Sequence, residues 1–203
     1  MLARPSENTT KIWPDKICSS KPSNATDVLV IVCSAMSNFV ERQAIRDSWA
    51  SETNSDLSNI KVIFLVGHVG NESSPLQVNV TRESEIHGDI LQEDFIDSYA
   101  NLTVKSLMLL KFFTQNCDQV PYLLKTDDDV YINLVNLNKL VQMNRKPNLL
   151  IGSLICGAVP IRDPYNKYYA PKYMYDKKRY PNYLSGKKIY QIHQIHNVKI
   201  RHF

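Results

Sequence analysis

An open α/β sheet, mixed but mainly parallel and flanked by helices, is the fold the sequence predicts. Three observations carry that expectation. Asp27-Val28-Leu29-Val30-Ile31-Val32-Cys33 and Ile60-Lys61-Val62-Ile63-Phe64-Leu65-Val66-Gly67 are near-continuous apolar runs, the pattern of strands buried on both faces. Helical patterns with start and stop signals separate such runs, as in chains that build parallel sheets. A third apolar run, Val120 to Leu124, leads into Asp127-Asp128-Asp129, and ligands of open α/β sheets bind at the carboxyl ends of strands.

The chain has 203 residues, enough for one large domain with its own core. Its 43% hydrophobic and 22% charged residues exclude wholesale disorder. The net charge of +4 is unevenly distributed: residues 1–171 carry 16 basic and 19 acidic side chains, and residues 172–203 carry eight and one. The basic character thus belongs to the C-terminal end, which gives no ground for a nucleic-acid partner.

Taken in order, residues 1–26 are rich in Pro, Ser, Asn and Lys without periodicity and read as a stem or linker. After the first strand and a turn at Ser34–Ser37, Asn38 is placed to cap a helix to about Ala50. Glu41 completes a capping box, and Val40, Ala44, Ile45 and Trp49 form the expected core face. Arg42 and Arg46, four apart, share one helix face; they read either as a diphosphate clamp or as surface arginines paired with Glu41 or Asp47. The strand at 60–67 ends in a glycine turn. Ser74-Pro75 is an N-cap with Pro at the first helical position and starts a polar helix to about His87.

A short strand at Ile90–Gln92 precedes an acidic, aromatic connection, Glu93–Tyr99. Leu102 to Phe113 reads as a buried helix, too short to span a membrane. Its Lys105 either reaches an anionic ligand or snorkels. Asn133 caps a helix with Leu134, Leu137, Leu140 and Val141 on one side, and Asn148–Gly152 is a further strand. From Ala158 the chain is Pro- and Tyr-rich, either a sugar-stacking loop or an irregular aromatic surface. His193 and His196 have only a weak case as metal ligands.

Three adjacent carboxylates repel one another and are costly to desolvate. A hard divalent cation relieves that cost. If the chain stays extended, Asp127 and Asp129 face one side together and Asp128 the other. A solvated acidic turn is the plain alternative.

Cys33 closes an apolar strand and reads as a buried free thiol, whereas Cys18, Cys117 and Cys156 leave disulfide pairing open. Asn-x-Ser/Thr sequons at Asn8, Asn24, Asn71, Asn79 and Asn101 exceed the roughly two expected by chance. They favour a secretory-pathway lumen, with Asn71, Asn79 and Asn101 as glycosylation candidates in the folded part. No membrane-length apolar segment occurs, so the chain is expected to be either cytosolic or lumenal with its leading membrane segment missing, and the sequons favour the second.

Five blocks in order carry a resemblance. They are Glu41-Arg42-Gln43-Ala44-Ile45-Arg46-Asp47-Ser48-Trp49, Val62–Gly67, Gly88–Tyr99 with Asn101-Leu102-Thr103, Leu124–Asn133, and Tyr180-Pro181-Asn182-Tyr183-Leu184-Ser185-Gly186. Together they resemble the β-1,3-glycosyltransferase family (glycosyltransferase family 31) of galactosyl- and N-acetylglucosaminyltransferases. The resemblance implies a GT-A type nucleotide-sugar-binding fold and a Golgi membrane protein facing the lumen. It implies a UDP-sugar donor, Mn²⁺ (or Mg²⁺), and inverting transfer onto a glycan acceptor of a glycoprotein or glycolipid. Carried onto this chain, it makes Asp127 and Asp129 metal ligands and Arg42, Arg46, Asp127 and Asp128 donor-binding residues, to which Lys105 is added from its helix position. Residues 27–186 would be the GT-A domain. From Lys187 the sequence departs from the family pattern, which there supplies the catalytic base. The expectation is therefore a donor-binding half, incomplete at the C-terminus, with residues 187–203 a divergent basic tail and no base assigned. A non-catalytic UDP-sugar binder is one alternative. An Asp-x-Asp phosphohydrolase, with Tyr131 in its Thr/Val place, is another.

Overall fold

The computed structural model describes residues 8–14, 17–18, 27–51, 59–144 and 149–191. Among these, the strands are β1 (Thr10–Ile12), β2 (Val28–Cys33), β3 (Ile60–His68), β4 (Ile90–Ile96), β5 (Tyr122–Asp127), β6 (Leu150–Ile155) and β7 (Tyr183–Gln191). They form one sheet in the order β1-β4-β3-β2-β5-β7-β6. The central strands β4, β3, β2 and β5 are parallel, while β1, β7 and β6 add antiparallel pairings at the two sides. The helices are α1 (Phe39–Asp47), α2 (Pro75–His87), α3 (Leu102–Asn116) and α4 (Leu134–Met143). This is the expected mixed, mainly parallel α/β architecture of GT-A type.

Handedness explains the layers. The chain steps from β2 to β3 to β4 in one direction through α1 and α2, then returns through α3 to the far side of β2. Right-handed crossovers put helices of opposite travel on opposite faces. Accordingly Val28, Val30 and Val32 pack with Ile45, Trp49 and Val80 of the first two crossovers on one face, where Leu134, Leu137 and Val141 of α4 also pack although handedness does not place them there. Leu29, Ile31 and Cys33 pack with Leu109, Phe112 and Phe113 on the other.

Several expectations are corrected. The stem assigned to residues 1–26 contributes β1, which pairs with β4 through Thr10↔Glu93 and Ile12↔Gln92. It contributes more: Thr9 and Thr10 hydroxyls donate to the buried Glu93 carboxylate at 2.6 and 2.7 Å, and Cys18 forms a disulfide with Cys117. With those hydroxyls as partners Glu93 is tolerated inside a strand, so β4 runs to Ile96 instead of stopping at Gln92. The tail assigned from 187 likewise begins inside the sheet. The backbone of β7 pairs with β5 at Leu124↔Ile189 and with β6 at Ile151↔Ile189, occupying an edge of β5 that would otherwise leave main-chain groups without partners. The paired helix face of α1 also differs: Val40 is 79% exposed and Ala44 is exposed, while Arg42, Ile45 and Trp49 are buried.

Gly67 is no turn. It sits within β3, and a Cβ there would lie 2.5 Å from the Phe95 carbonyl oxygen. Ser74 caps α2 by accepting from the Gln77 amide, and Gly88 closes it at φ 64°, as its sequence signals require. Cys33 is a buried free thiol, as expected. Asn24, His193 and His196 lie outside the described residues.

Candidate functional site

The strand order reverses between β2 and β5, whose carboxyl ends lie side by side with Cys33 in register with Asp127. Such a reversal is where an open α/β sheet leaves a crevice for a ligand, and here the connections leaving β2 and β5 run in opposite directions along the sheet, with α1 and α4 on the same face. Ser34, the first residue past β2, is buried at this point. Its hydroxyl donates to Asp128 Oδ2 at 2.7 Å and accepts from Arg42 Nη1 at 3.0 Å. Its carbonyl accepts from Lys105 Nζ at 2.8 Å. Three residues singled out in the sequence therefore converge on a fourth that was read as part of a turn.

The acidic triplet is fixed by these contacts. The chain turns at Asp128–Asp129 and does not stay extended, so the facing of the three side chains comes from their partners. Asp128 points inward, where Asn38 Nδ2 joins Ser34 on the same carboxylate oxygen at 2.8 Å. That contact takes the Asn38 side chain away from the expected helix cap, which has no side-chain bond. Trp49 Nε1 donates to the Val130 carbonyl at 3.1 Å and holds the far side of the turn. Asp127 and Asp129 are left facing solvent. The Asp127 side chain is 61% exposed, with Lys125 Nζ at 3.8 Å.

The basic residues are placed differently from either reading of them. Arg42 is fully buried: Nε and Nη2 meet Glu83 at 2.9 and 2.6 Å, Nη1 meets Ser34 Oγ and the Ala35 carbonyl, and Nη2 also meets the Met36 carbonyl. These contacts satisfy all five donors of a guanidinium. Arg42 is thus a positioning residue for the turn after β2 and offers no free N–H to a diphosphate. Arg46, one helical turn further from the strand ends, makes a bidentate pair with Asp89 at 2.7 and 2.8 Å and also meets Glu83 at 2.9 Å. Neither arginine pairs with Glu41 or Asp47. Burial by itself pushes the Glu83 carboxyl up, but hydrogen bonds and charge from Arg42, then Arg46, outweigh it and hold it below the ordinary range.

Lys105 also stands inside. Its ammonium bridges the Ser34 carbonyl and Asp97 Oδ1, the latter at 2.7 Å, and lies 5.7 Å from the Phe95 ring centroid. The other Asp97 oxygen accepts from the Gly67 amide at 3.0 Å. The ends of β2, β3 and β4 are thereby tied together. Burial pushes the neighbouring Cys33 thiol up to about 11, against the lowering influence of Lys125 and Lys105. At neutral pH it is a protonated, inert thiol.

Asp127 and Asp129 suit a hard divalent cation. Magnesium-type ions at nucleotide sites take one or two carboxylates, with substrate phosphates and water filling the remaining positions. Among the described residues no group of three or more His, Cys, Asp or Glu forms a closed cage, and a two-carboxylate site does not require one.

Beyond β6, the aromatic loop is held by guanidinium groups. Arg162 donates to the Ala170, Tyr175 and Lys177 carbonyls, and Arg179 to that of Gly157. Tyr165, Tyr173 and Tyr168 remain exposed on it. Of the sequons, Asn8, Asn71 and Asn79 are exposed. Asn101 is half-buried, its amide donating to the Ile96 carbonyl at 2.8 Å. Ser34, Asn38, Glu83 and Trp49 were missed as site residues. A Ser directly after a doubly buried strand was the available signal for the first.

The family model described as Galactosyltransferase matches residues 40–195, from the start of α1 past the end of β7. Three curated relatives are similar to this chain. UDP-GlcNAc:betaGal beta-1,3-N-acetylglucosaminyltransferase 7 of Rattus norvegicus is 39% identical over 166 residues, covering 78% of this chain and 42% of the relative. Beta-1,3-galactosyltransferase 5 of Pan paniscus is 34% identical over 174 residues, covering 85% and 56%. Beta-1,3-galactosyltransferase 1 of Mus musculus is 38% identical over 166 residues, covering 80% and 50%. The chain spans about half the length of the curated relatives it matches.

Proposed function

The chain belongs to the galactosyltransferase family, and from that premise we propose that its switch-point crevice binds a UDP-sugar for β-1,3 transfer. The donor is UDP-galactose or UDP-N-acetylglucosamine, and the acceptor is a sugar hydroxyl on a glycoprotein or glycolipid glycan, attacked with inversion. The observation that carries the reading is the division of the acidic triplet. Asp128 is held inward by Ser34 and Asn38, while Asp127 and Asp129 are exposed.

Asp127 and Asp129 would hold Mn²⁺ or Mg²⁺, with Asp127 also accepting from the donor's ribose side and Asp128 beside them. The ion, when bound, supplies positive charge to the diphosphate of the departing UDP. Arg42 and Lys105 contribute by fixing Ser34 and, through it, the acidic turn. Arg46 contributes by sharing Glu83 with Arg42. Exposed rings at Tyr165 and Tyr173 offer flat apolar faces for an acceptor sugar. A lumenal Golgi location is supported by the Cys18–Cys117 disulfide, since such bonds persist in oxidising compartments, and by the sequons. Among the described residues no helix is long and apolar enough to cross a membrane, so this reading places membrane contact in an N-terminal anchor outside the sheet.

Calorimetric titration of UDP with and without Mn²⁺ tests the donor site. The expected outcome is metal-dependent binding that Asp129→Ala weakens by about 100-fold, equivalent to about 2.7 kcal/mol, with thermal unfolding unchanged. Metal-independent binding, or no binding to a folded sample, overturns the assignment. Transfer from UDP-galactose and UDP-N-acetylglucosamine to a galactose- or N-acetylglucosamine-terminated acceptor then reads the activity. Binding without transfer would leave a UDP-sugar-binding protein.

A further inference from the structure

Helices α1 and α2 leave an open groove of about 380 Å³ between them, on the solvent side of the Arg42–Glu83 pair. Its apolar surface comes from Phe39, Val40 and Ile86, its polar surface from Gln43, Arg82 and His87, and the Arg46–Glu83 ion pair lines it as well. Val40 and Ile86 are 79% and 66% exposed. Both arise from regular helices whose other faces are packed, so the groove is a surface that the fold itself leaves uncovered.

Asn79 lines this groove. It projects from α2 on the face shared with Arg82, Glu83, Ile86 and His87, at the i+3, i+4, i+7 and i+8 positions. Asn79-Val80-Thr81 is an acceptor sequon. Val80 is buried in the core, which fixes the rotation of α2 and turns Asn79 outward. A group joined to the Asn79 amide nitrogen therefore starts inside the groove. A pyranose has one face of C–H groups and an edge of hydroxyls, which suits exposed apolar side chains set beside amide, guanidinium and imidazole donors.

We propose that Asn79 carries an N-linked glycan whose first N-acetylglucosamine lies in the α1–α2 groove as a fixed part of the fold. The acetamido methyl and the C–H face cover Val40 and Ile86. The rest of the glycan extends into solvent. This role depends on passage through a glycosylating lumen and not on the transferase reading, so its test needs no activity measurement.

The full chain is expressed in a host that glycosylates secreted proteins, and each sequon's occupancy is read by peptide mass. Asn79 is expected to be occupied. Trimming the glycans to a single N-acetylglucosamine should leave Tm unchanged. Thr81→Ala should remove the Asn79 glycan and lower Tm by about 3 °C. That fall runs against helix propensity, because Ala is a better helix former than Thr at an exposed position. In a non-glycosylating host the same variant should match the parent or exceed it. Val40→Asp, with Asn79 still occupied, should remove most of the glycan-dependent stabilisation. An empty Asn79 in protein modified at other sequons overturns the proposal. So does an occupied Asn79 whose loss leaves Tm unchanged, or a Tm that falls on trimming to one sugar.

Discussion

Two groups of charged residues flank the end of β2, and the structure treats them in opposite ways. On one side Arg42, Arg46, Glu83 and Asp89 form a buried cluster in which each charge has a close opposite charge. On the other, Asp127 and Asp129 form an open pair of like charge, braced from behind by Asp128, Ser34 and Asn38. Both groups carry ionised side chains at motif spacing, and the arginines look as suited to a diphosphate as the aspartates do to a metal. The difference teaches that residue type alone does not decide whether a charge serves the fold or a ligand. Completeness of pairing does. A satisfied guanidinium is a strut, whereas an exposed carboxylate pair with little protein compensation is left free to take a ligand.

The sharpest way to break this comparison is to remove the charge at the centre of the cluster. Glu83→Gln keeps shape and leaves the buried Arg42 without a counter-charge, while Arg46 retains Asp89; the cost is about 3 kcal/mol. Urea unfolding measures it. The open pair should respond oppositely, with Asp129→Asn within about 0.5 kcal/mol of the parent. A loss below about 1 kcal/mol for Glu83→Gln would mean that water already compensates the cluster. The same variant has a pH signature. Because the folded Glu83 carboxyl is held below its unfolded value, its contribution is complete above the unfolded value. It is lost as the pH falls through the folded one, below about 4.3. Glu83→Gln should flatten the parent's stability loss in that acid window.

Ser34 joins the two regions, so its substitution should affect both. Ser34→Ala removes a hydroxyl bonded to a carboxylate and to a guanidinium, at a cost of about 2 kcal/mol. Metal-dependent UDP binding should weaken about tenfold, although Ser34 is buried behind Asp128. Ile45→Val serves as the control: it destabilises the same face of the core by about 1 kcal/mol and should leave UDP binding intact. Equal weakening in both variants would reduce Ser34 to ordinary core support.

Much of this architecture was legible beforehand because it is locally encoded. The apolar runs of β2 and β3 declare burial on both faces, and Ser74-Pro75 and Gly88 mark the ends of α2 by backbone chemistry alone. The acidic triplet was legible as a candidate site because a strand precedes it. What was hidden is nonlocal. The Ser34 hydroxyl meets Asp128 across 94 positions and Arg42 meets Glu83 across 41, so no window around either residue contains its partner. The short strand β1 was hidden for the same reason, since its place depends on the free edge of β4 and on Glu93 accepting from Thr9 and Thr10. Family likeness named the arginines and the aspartates alike, and only topology separated them.

Thr126 gives the smallest and most discriminating test, because its hydroxyl belongs to neither group. It is buried in β5 immediately before Asp127, in register with Val32, and Oγ1 has no hydrogen-bond partner among the described residues. Alternation along β5 aims it at the face shared with Tyr122 and Leu124, away from Asp127. Thr126→Val keeps the branched shape and the strand preference while deleting an unpaired polar atom. Stability should therefore rise by about 1 kcal/mol, with UDP binding unchanged. If stability falls instead, the hydroxyl is bonded to an ordered water behind the acidic turn. The brace of Asp127 would then reach past Ser34 into the core, and the boundary between strut and site would lie one residue deeper in β5.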